Sequence, residues 1–189
     1  MQPHYNSDGF IPKHGGYQKL IAFQKAEIIY DGTYYFFHKY FDKYDRTIGQ
    51  MIQAARSGKQ NIAEGSMDSG TSKEIEIKLI NVARGSLEEL INDYKDFLRT
   101  RKLKYWDKSH PFYPHLTKLH KTPNANYETY RKGIESPDPE VAANVLLSLT
   151  NITSYLIAQL LKTLEKEFLQ EGGLRERMSQ ARINVRKRK

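Results

Sequence analysis

Residues 50–65 read Gln-Met-Ile-Gln-Ala-Ala-Arg-Ser-Gly-Lys-Gln-Asn-Ile-Ala-Glu-Gly, and the rest of the chain is organised around this stretch. Ile48, Met51, Ile52, Ala55, Ile62 and Ala63 recur at helical spacing, with Ser57 and Gly58 interrupting the apolar stripe. Ala54, Ala55, Ser57, Gly58 and Ala63 are small enough for neighbouring helices to approach closely. A glycine inside a helix costs about 1 kcal/mol relative to alanine, so Gly58 points to a packing requirement. Gly65 is the expected stop, because glycine takes the left-handed closing conformation without a Cβ clash.

Outward from this helix the chain divides readily. Residues 1–16, with Pro3, Gly9, Pro12, Gly15 and Gly16, read as an extended N-terminal arm that is partly disordered. A first helix is expected from Tyr17 to about Phe41, carrying Leu20, Phe23, Ala26, Ile29, Phe36 and Phe37, with Gly32 marking a close contact. The second runs from about Asp45 to Glu64. Thr71 and Glu74 have capping-box spacing and open a third helix reaching about Lys102. Ser136 is the expected cap of the fourth, with proline in its first turn, and Gly172-Gly173 ends it. Its apolar stripe from Val141 to Leu169 is wide enough to bury more than one seam. Residues 103–135 hold Pro111, Pro114 and Pro123 and are expected to be irregular, or short helical turns lying across the helices. The expected architecture is all-α: an up-and-down four-helix bundle over 17–172, an irregular insertion at about 103–135, and a basic C-terminal tail over 173–189.

Size permits one domain with a real core, since the chain has 189 residues. The absence of cysteine excludes disulfides and thiolate metal sites and fits a reducing compartment. No basic start followed by an apolar run marks a signal peptide. No stretch is expected to reach the length needed to span a bilayer, so the chain reads as soluble and cytoplasmic. The net charge of +8 is unevenly spread. Residues 1–98 sum to −1, residues 99–132 to +7, residues 133–173 to −4 and residues 174–189 to +6. The helical body is thus slightly acidic, and the net positive charge sits in one connecting segment and the C-terminal tail.

Asn61-Ile62-Ala63-Glu64-Gly65 and Ala83-Arg84-Gly85-Ser86-Leu87-Glu88-Glu89-Leu90 resemble motifs of a four-helix-bundle family. The family comprises the ribosomal RNA intervening-sequence proteins and their relatives, the accessory variability determinants of diversity-generating retroelements. Gln24-Lys25-Ala26 fits the same pattern, and the resemblance covers about Tyr17–Arg101 and, more loosely, Pro137–Leu169. It implies a homopentamer of bundles and, in the retroelement branch, a basic surface that engages nucleic acid and a reverse transcriptase. The chain departs from the family at Gln53, where arginine is usual, and at Gly58-Lys59, where an Ile-Pro pair is usual.

Little in the sequence suggests enzymatic chemistry. Glu88 and Glu89 are adjacent on a helix, project about 100° apart and form no carboxylate pair. His110, His115 and His120 match no metal-ligand spacing and read as surface histidines. No cofactor or metal motif and no nucleophile–base arrangement is legible. Glu64, placed at a helix C-terminus, faces the negative end of the dipole, so a structural network of Glu64 and Asn61 with Lys25 or Arg84 is expected. The remaining lead is nucleic acid. Arg99, Arg101, Lys102, Lys104 and Lys108 surround Tyr105 and Trp106; Lys118, Lys121, Arg131 and Lys132 follow; Arg175, Arg177, Arg182, Arg186, Lys187, Arg188 and Lys189 fill the tail. Cations seat phosphates and exposed aromatics stack on unpaired bases. The expectation is a non-enzymatic, self-assembling protein that binds RNA or single-stranded DNA as accessory to a nucleic-acid enzyme. The alternative is a protein–protein adaptor.

Overall fold

The computed structural model describes Ile11, residues 14–42, Asp45 and residues 47–187, the side chains of 47, 48 and 171 excepted. Most of the expected N-terminal arm therefore lies outside the described residues. Among the described residues the elements are a 3-10 turn at Tyr17–Lys19 and seven helices: α1 Ile21–Tyr40, α2 Thr47–Asp68, α3 Lys73–Thr100, α4 Tyr113–His120, α5 Tyr127–Ile134, α6 Pro139–Glu171 and α7 Leu174–Lys187. The class is all-α, with no strand among the described residues. The count exceeds the four helices expected, because the insertion contributes α4 and α5, and the tail forms α7 rather than a loose segment.

The four long helices pack in cyclic order, α1 on α2, α2 on α3, α3 on α6 and α6 back on α1. Each contributes an apolar stripe at three- and four-residue steps. In α3 this is Ile80, Ala83, Leu87, Leu90, Ile91, Tyr94, Phe97 and Leu98, all buried. A stretch of α6 is long and apolar enough to cross a membrane by composition, contrary to expectation, yet 61% of it is buried inside the protein. Its apolar breadth is explained by contact with both α1 and α3, together with α4 and α5.

Helix ends differ from the expected positions for local reasons. Gly65 does not stop α2, which continues to Asp68. A Cβ there would lie 3.3 Å from the Glu76 carbonyl oxygen of α3, so Gly65 serves close approach. Gly58 does the same, since its Cβ would meet Leu87 Cδ2 at 2.9 Å. The α3 cap is Ser72, whose hydroxyl accepts from the Ile75 amide, not Thr71. Thr71 instead donates to the Asp68 carbonyl. Likewise Asp138, not Ser136, caps α6, accepting from the Glu140 amide at 2.8 Å. Gly172, at φ 68°, closes α6 as expected.

The core falls into two clusters. One joins Ala26, Ile62, Ile80, Leu87 and Ile157 at the α1 start. The other holds Phe36, Tyr94, Phe97 and Leu146 together with Trp106, Leu116, Tyr130 and Ile134 from the insertion. The insertion is thus part of the core. Lys39 donates to the Glu135 and Ser136 carbonyls, and the Tyr40 hydroxyl also donates to Ser136, which pins the α5–α6 junction to α1.

Candidate nucleic-acid interface and the cleft beside it

The expected cations separate into those held by the fold and those left to solvent. Arg101 lies 3.9 Å from the Phe97 ring centroid and donates to the Tyr40 carbonyl at 3.1 Å, so it closes the aromatic cluster at the end of α3. Arg99 pairs with Asp96 at 2.9 Å, and Arg131 pairs with Glu128 and Glu135 at 3.2 Å each. Exposed pairs of this kind contribute little stability, but they cancel charge locally. Arg177 is half-buried. Arg188 and Lys189 lie outside the described residues.

Lys102, Lys104, Lys108, Lys118, Lys121 and Lys132 are exposed, as are Arg175, Arg182, Arg186 and Lys187 on α7. Their side chains make no ion pair among the described residues. On α7, Arg175, Arg182 and Arg186 fall seven and four residues apart, which is one face of a helix. Glu176 caps this helix by accepting from the Gly173 amide at 2.9 Å, and Arg186 and Lys187 sit at its negative end.

The aromatic part of the expected site is corrected. Tyr105 is 53% exposed, but Trp106 is 7% exposed and unable to stack on a base. Its indole donates to Glu140 Oε1 at 3.0 Å, and its amide donates to Asn144 Oδ1 at 2.8 Å. Bonds from the Lys104 amide and then from this indole hold the Glu140 carboxyl below the ordinary carboxylate range. His110 stacks on the indole at 4.6 Å between centroids. Trp106 is a plug.

The expected network of Lys25, Asn61, Glu64 and Arg84 is not formed. Glu64 is exposed, within α2 rather than at its end, so the unfavourable dipole contact that motivated a partner does not arise. Glu64 and Arg84 make no side-chain hydrogen bond or ion pair among the described residues. Asn61 donates to the Ser57 carbonyl at 2.8 Å within its own helix.

Lys25 goes elsewhere. It is 5% exposed, and its ammonium donates to the His120 carbonyl and to the Tyr130 hydroxyl, both at 3.3 Å. His120, expected at the surface, is largely enclosed: Nδ1 lies 3.2 Å from the Tyr130 hydroxyl and Nε2 lies 2.7 Å from Ser148 Oγ. Burial, and then the Lys25 charge, lower the imidazole to about 4. Burial also lowers Lys25 and pushes Tyr130 up to about 12. A neutral imidazole has one donor and one acceptor, and two hydroxyls satisfy both. The His120–Ser148 contact has the form of a nucleophile with its base, but a base of pKa about 4 is far from the neutral range where such catalysis is efficient.

This cluster borders a cleft of about 520 Å³ between α1, residues 105–106, α4 and α6, a size usual for small-molecule sites. His120, Tyr130 and Ser148 carry no short-range sequence signature. Lys25 does: it falls on the stripe Ala22, Ala26, Ile29 and Thr33 that α1 buries. Comparison with protein-family models, with curated proteins and with solved structures finds no match to this chain.

Proposed function

We propose that this chain is a four-helix-bundle protein that associates with copies of itself and binds RNA or single-stranded DNA without catalysing a reaction on it. The cyclic packing of four long helices supports the bundle reading. The observation that carries nucleic-acid binding is the uneven net charge: residues 99–132 and 174–189 sum to +7 and +6, and ten of their exposed lysines and arginines make no ion pair among the described residues. Cations not engaged by acids are available to displace the counterions of a polyanion. Self-association as a pentamer, a reverse transcriptase or other nucleic-acid enzyme as partner, and a cytoplasmic location complete the proposal. In a closed oligomer each subunit repeats the cationic surface, so modest contacts combine through avidity. An adaptor role is the second reading, favoured by the exposed Met178, Ile183 and Val185 of α7.

The test is fluorescence polarisation of a labelled single-stranded RNA between about 50 and about 200 mM salt. Affinity falls steeply with salt, and reversing Arg175, Arg182 and Arg186 to glutamate lowers the log–log slope by about 2, the loss of three phosphate contacts. Absence of binding at low salt refutes the proposal. Salt-independent binding of a protein partner favours the adaptor. Native mass of about 110 kDa, against 22.0 kDa for one chain, is the expectation for five subunits.

A further inference from the structure

The cleft beside Lys25 has three properties that together select a ligand. Its cation is enclosed: Lys25 is 5% exposed, holds only two 3.3 Å bonds to neutral oxygens, and has no carboxylate within ion-pair distance among the described residues. An ammonium has three donors, and a buried charge without a counter-charge is costly. Next, the lining includes a second cation, exposed Lys121, and no acidic residue. Finally, large apolar surfaces open onto it: Tyr155 is 57% exposed, Tyr105 53% and Ile21 60%, and Tyr113 lines the same wall. Tyrosines left outside the core at a cationic cleft offer flat faces to a ring and hydroxyls to its polar edges.

We infer that this cleft is a nucleotide site, taking a planar base against its tyrosines and the attached phosphate at Lys25 and Lys121. Phosphate fits better than a carboxylate because its oxygens are more numerous and its charge is larger, and cationic donors line the cleft from both α1 and the end of α4. Ser148, whose hydroxyl meets the His120 imidazole at 2.7 Å, also lines the cleft and keeps bonding capacity for a phosphate or sugar oxygen. The inference rests on the nucleic-acid reading for the source of the nucleotide, free or at the end of a strand, and not for the chemistry of the cleft.

The experiment is calorimetric titration of the full chain with AMP, adenosine, inorganic phosphate and phenylacetate, beside polarisation with a labelled oligonucleotide. AMP binds at millimolar concentration or below, and the other three bind at least about tenfold more weakly. Lys25→Met weakens AMP at least about tenfold while resisting urea no less than the parent, since it removes an uncompensated buried charge. A lysine serving only the fold would instead lose stability. Lys121→Ala and Tyr155→Ala alter exposed side chains, remain folded, and each weaken AMP severalfold. The inference is overturned if AMP does not bind, if adenosine or phenylacetate equals it, or if Lys121→Ala and Tyr155→Ala bind it like the parent. Strand binding without AMP binding sinks the cleft assignment and leaves the cationic surface standing. AMP binding without strand binding does the reverse. A 5′-phosphorylated oligonucleotide that competes with AMP identifies a strand end as the source, and competition by free nucleotides alone identifies the monomer.

Discussion

Protonating His120 destabilises this protein by a calculable amount. The imidazole is held between Tyr130 and Ser148, and the Lys25 ammonium bonds the main-chain carbonyl of the same residue, so burial first and this nearby charge second make its charged form unfavourable in the folded state. Its pKa falls from an ordinary 6.5 to about 4. Above about pH 6.5 the ring is neutral in both folded and unfolded chains, and it imposes no pH dependence. Between about 6.5 and about 4 the unfolded chain binds a proton that the folded chain refuses, so stability falls as pH falls. Below about 4 both are charged and the loss stops. At about 1.36 kcal/mol per pH unit the loss totals about 3 kcal/mol, a large part of a domain's stability. The assay is urea denaturation across this range, followed by far-UV circular dichroism, on the parent and on His120→Gln, whose amide cannot take up a proton. Other groups contribute to both curves. Glu76 and Asp93, raised by burial, shift the two proteins alike. The difference between the curves is constant above about pH 6.5 and shifts by about 3 kcal/mol against the parent on the way to about 4. Parallel curves, or an NMR titration that finds the His120 ring charging near its ordinary value, would refute the reasoning.

Gly58→Ala is destabilising by about 1–3 kcal/mol despite better helix propensity, because its Cβ meets Leu87 Cδ2 at 2.9 Å in a closed core. Gly85→Ala, with nothing within 4 Å of the added atom, is stabilising by about 1 kcal/mol; thermal midpoints of the two variants move in opposite directions. Thr33→Val orphans the Tyr94 hydroxyl, which donates to Thr33 Oγ1 at 2.9 Å while Thr33 donates to the Ile29 carbonyl, and costs about 1–3 kcal/mol in urea denaturation. Trp106→Phe loses the indole bond to Glu140 yet leaves affinity for a single strand unchanged, whereas loss of a stacked base would cost about 1–3 kcal/mol; polarisation distinguishes the two.

Local period and punctuation were enough to place the long helices. Hydrophobic spacing marked α1, α2, α3 and α6, and Gly58 announced a close contact before its neighbour Leu87 was known. Boundaries were less legible. Thr71 and Ser72 both have cap chemistry, and only the chain path decides which hydroxyl meets a free amide. Gly65 carried the same ambiguity, since glycine closes helices and also admits a neighbouring backbone. The distribution of charge was likewise a property of the sequence, with the net positive charge concentrated in residues 99–132 and 174–189.

Tertiary structure alone decided which polar groups are enclosed and with whom. Lys25 and the His120 carbonyl it bonds are 95 residues apart, and Trp106 finds Asn144 across 38. A helical stripe records which face is buried, because the 3.6-residue period is local. It does not record the partner across that face, which depends on how four helices and an insertion are brought together. For that reason Trp106, a base-stacking candidate in sequence, is a plug in the fold, and His120, a surface histidine in sequence, adjoins the enclosed lysine of a cleft.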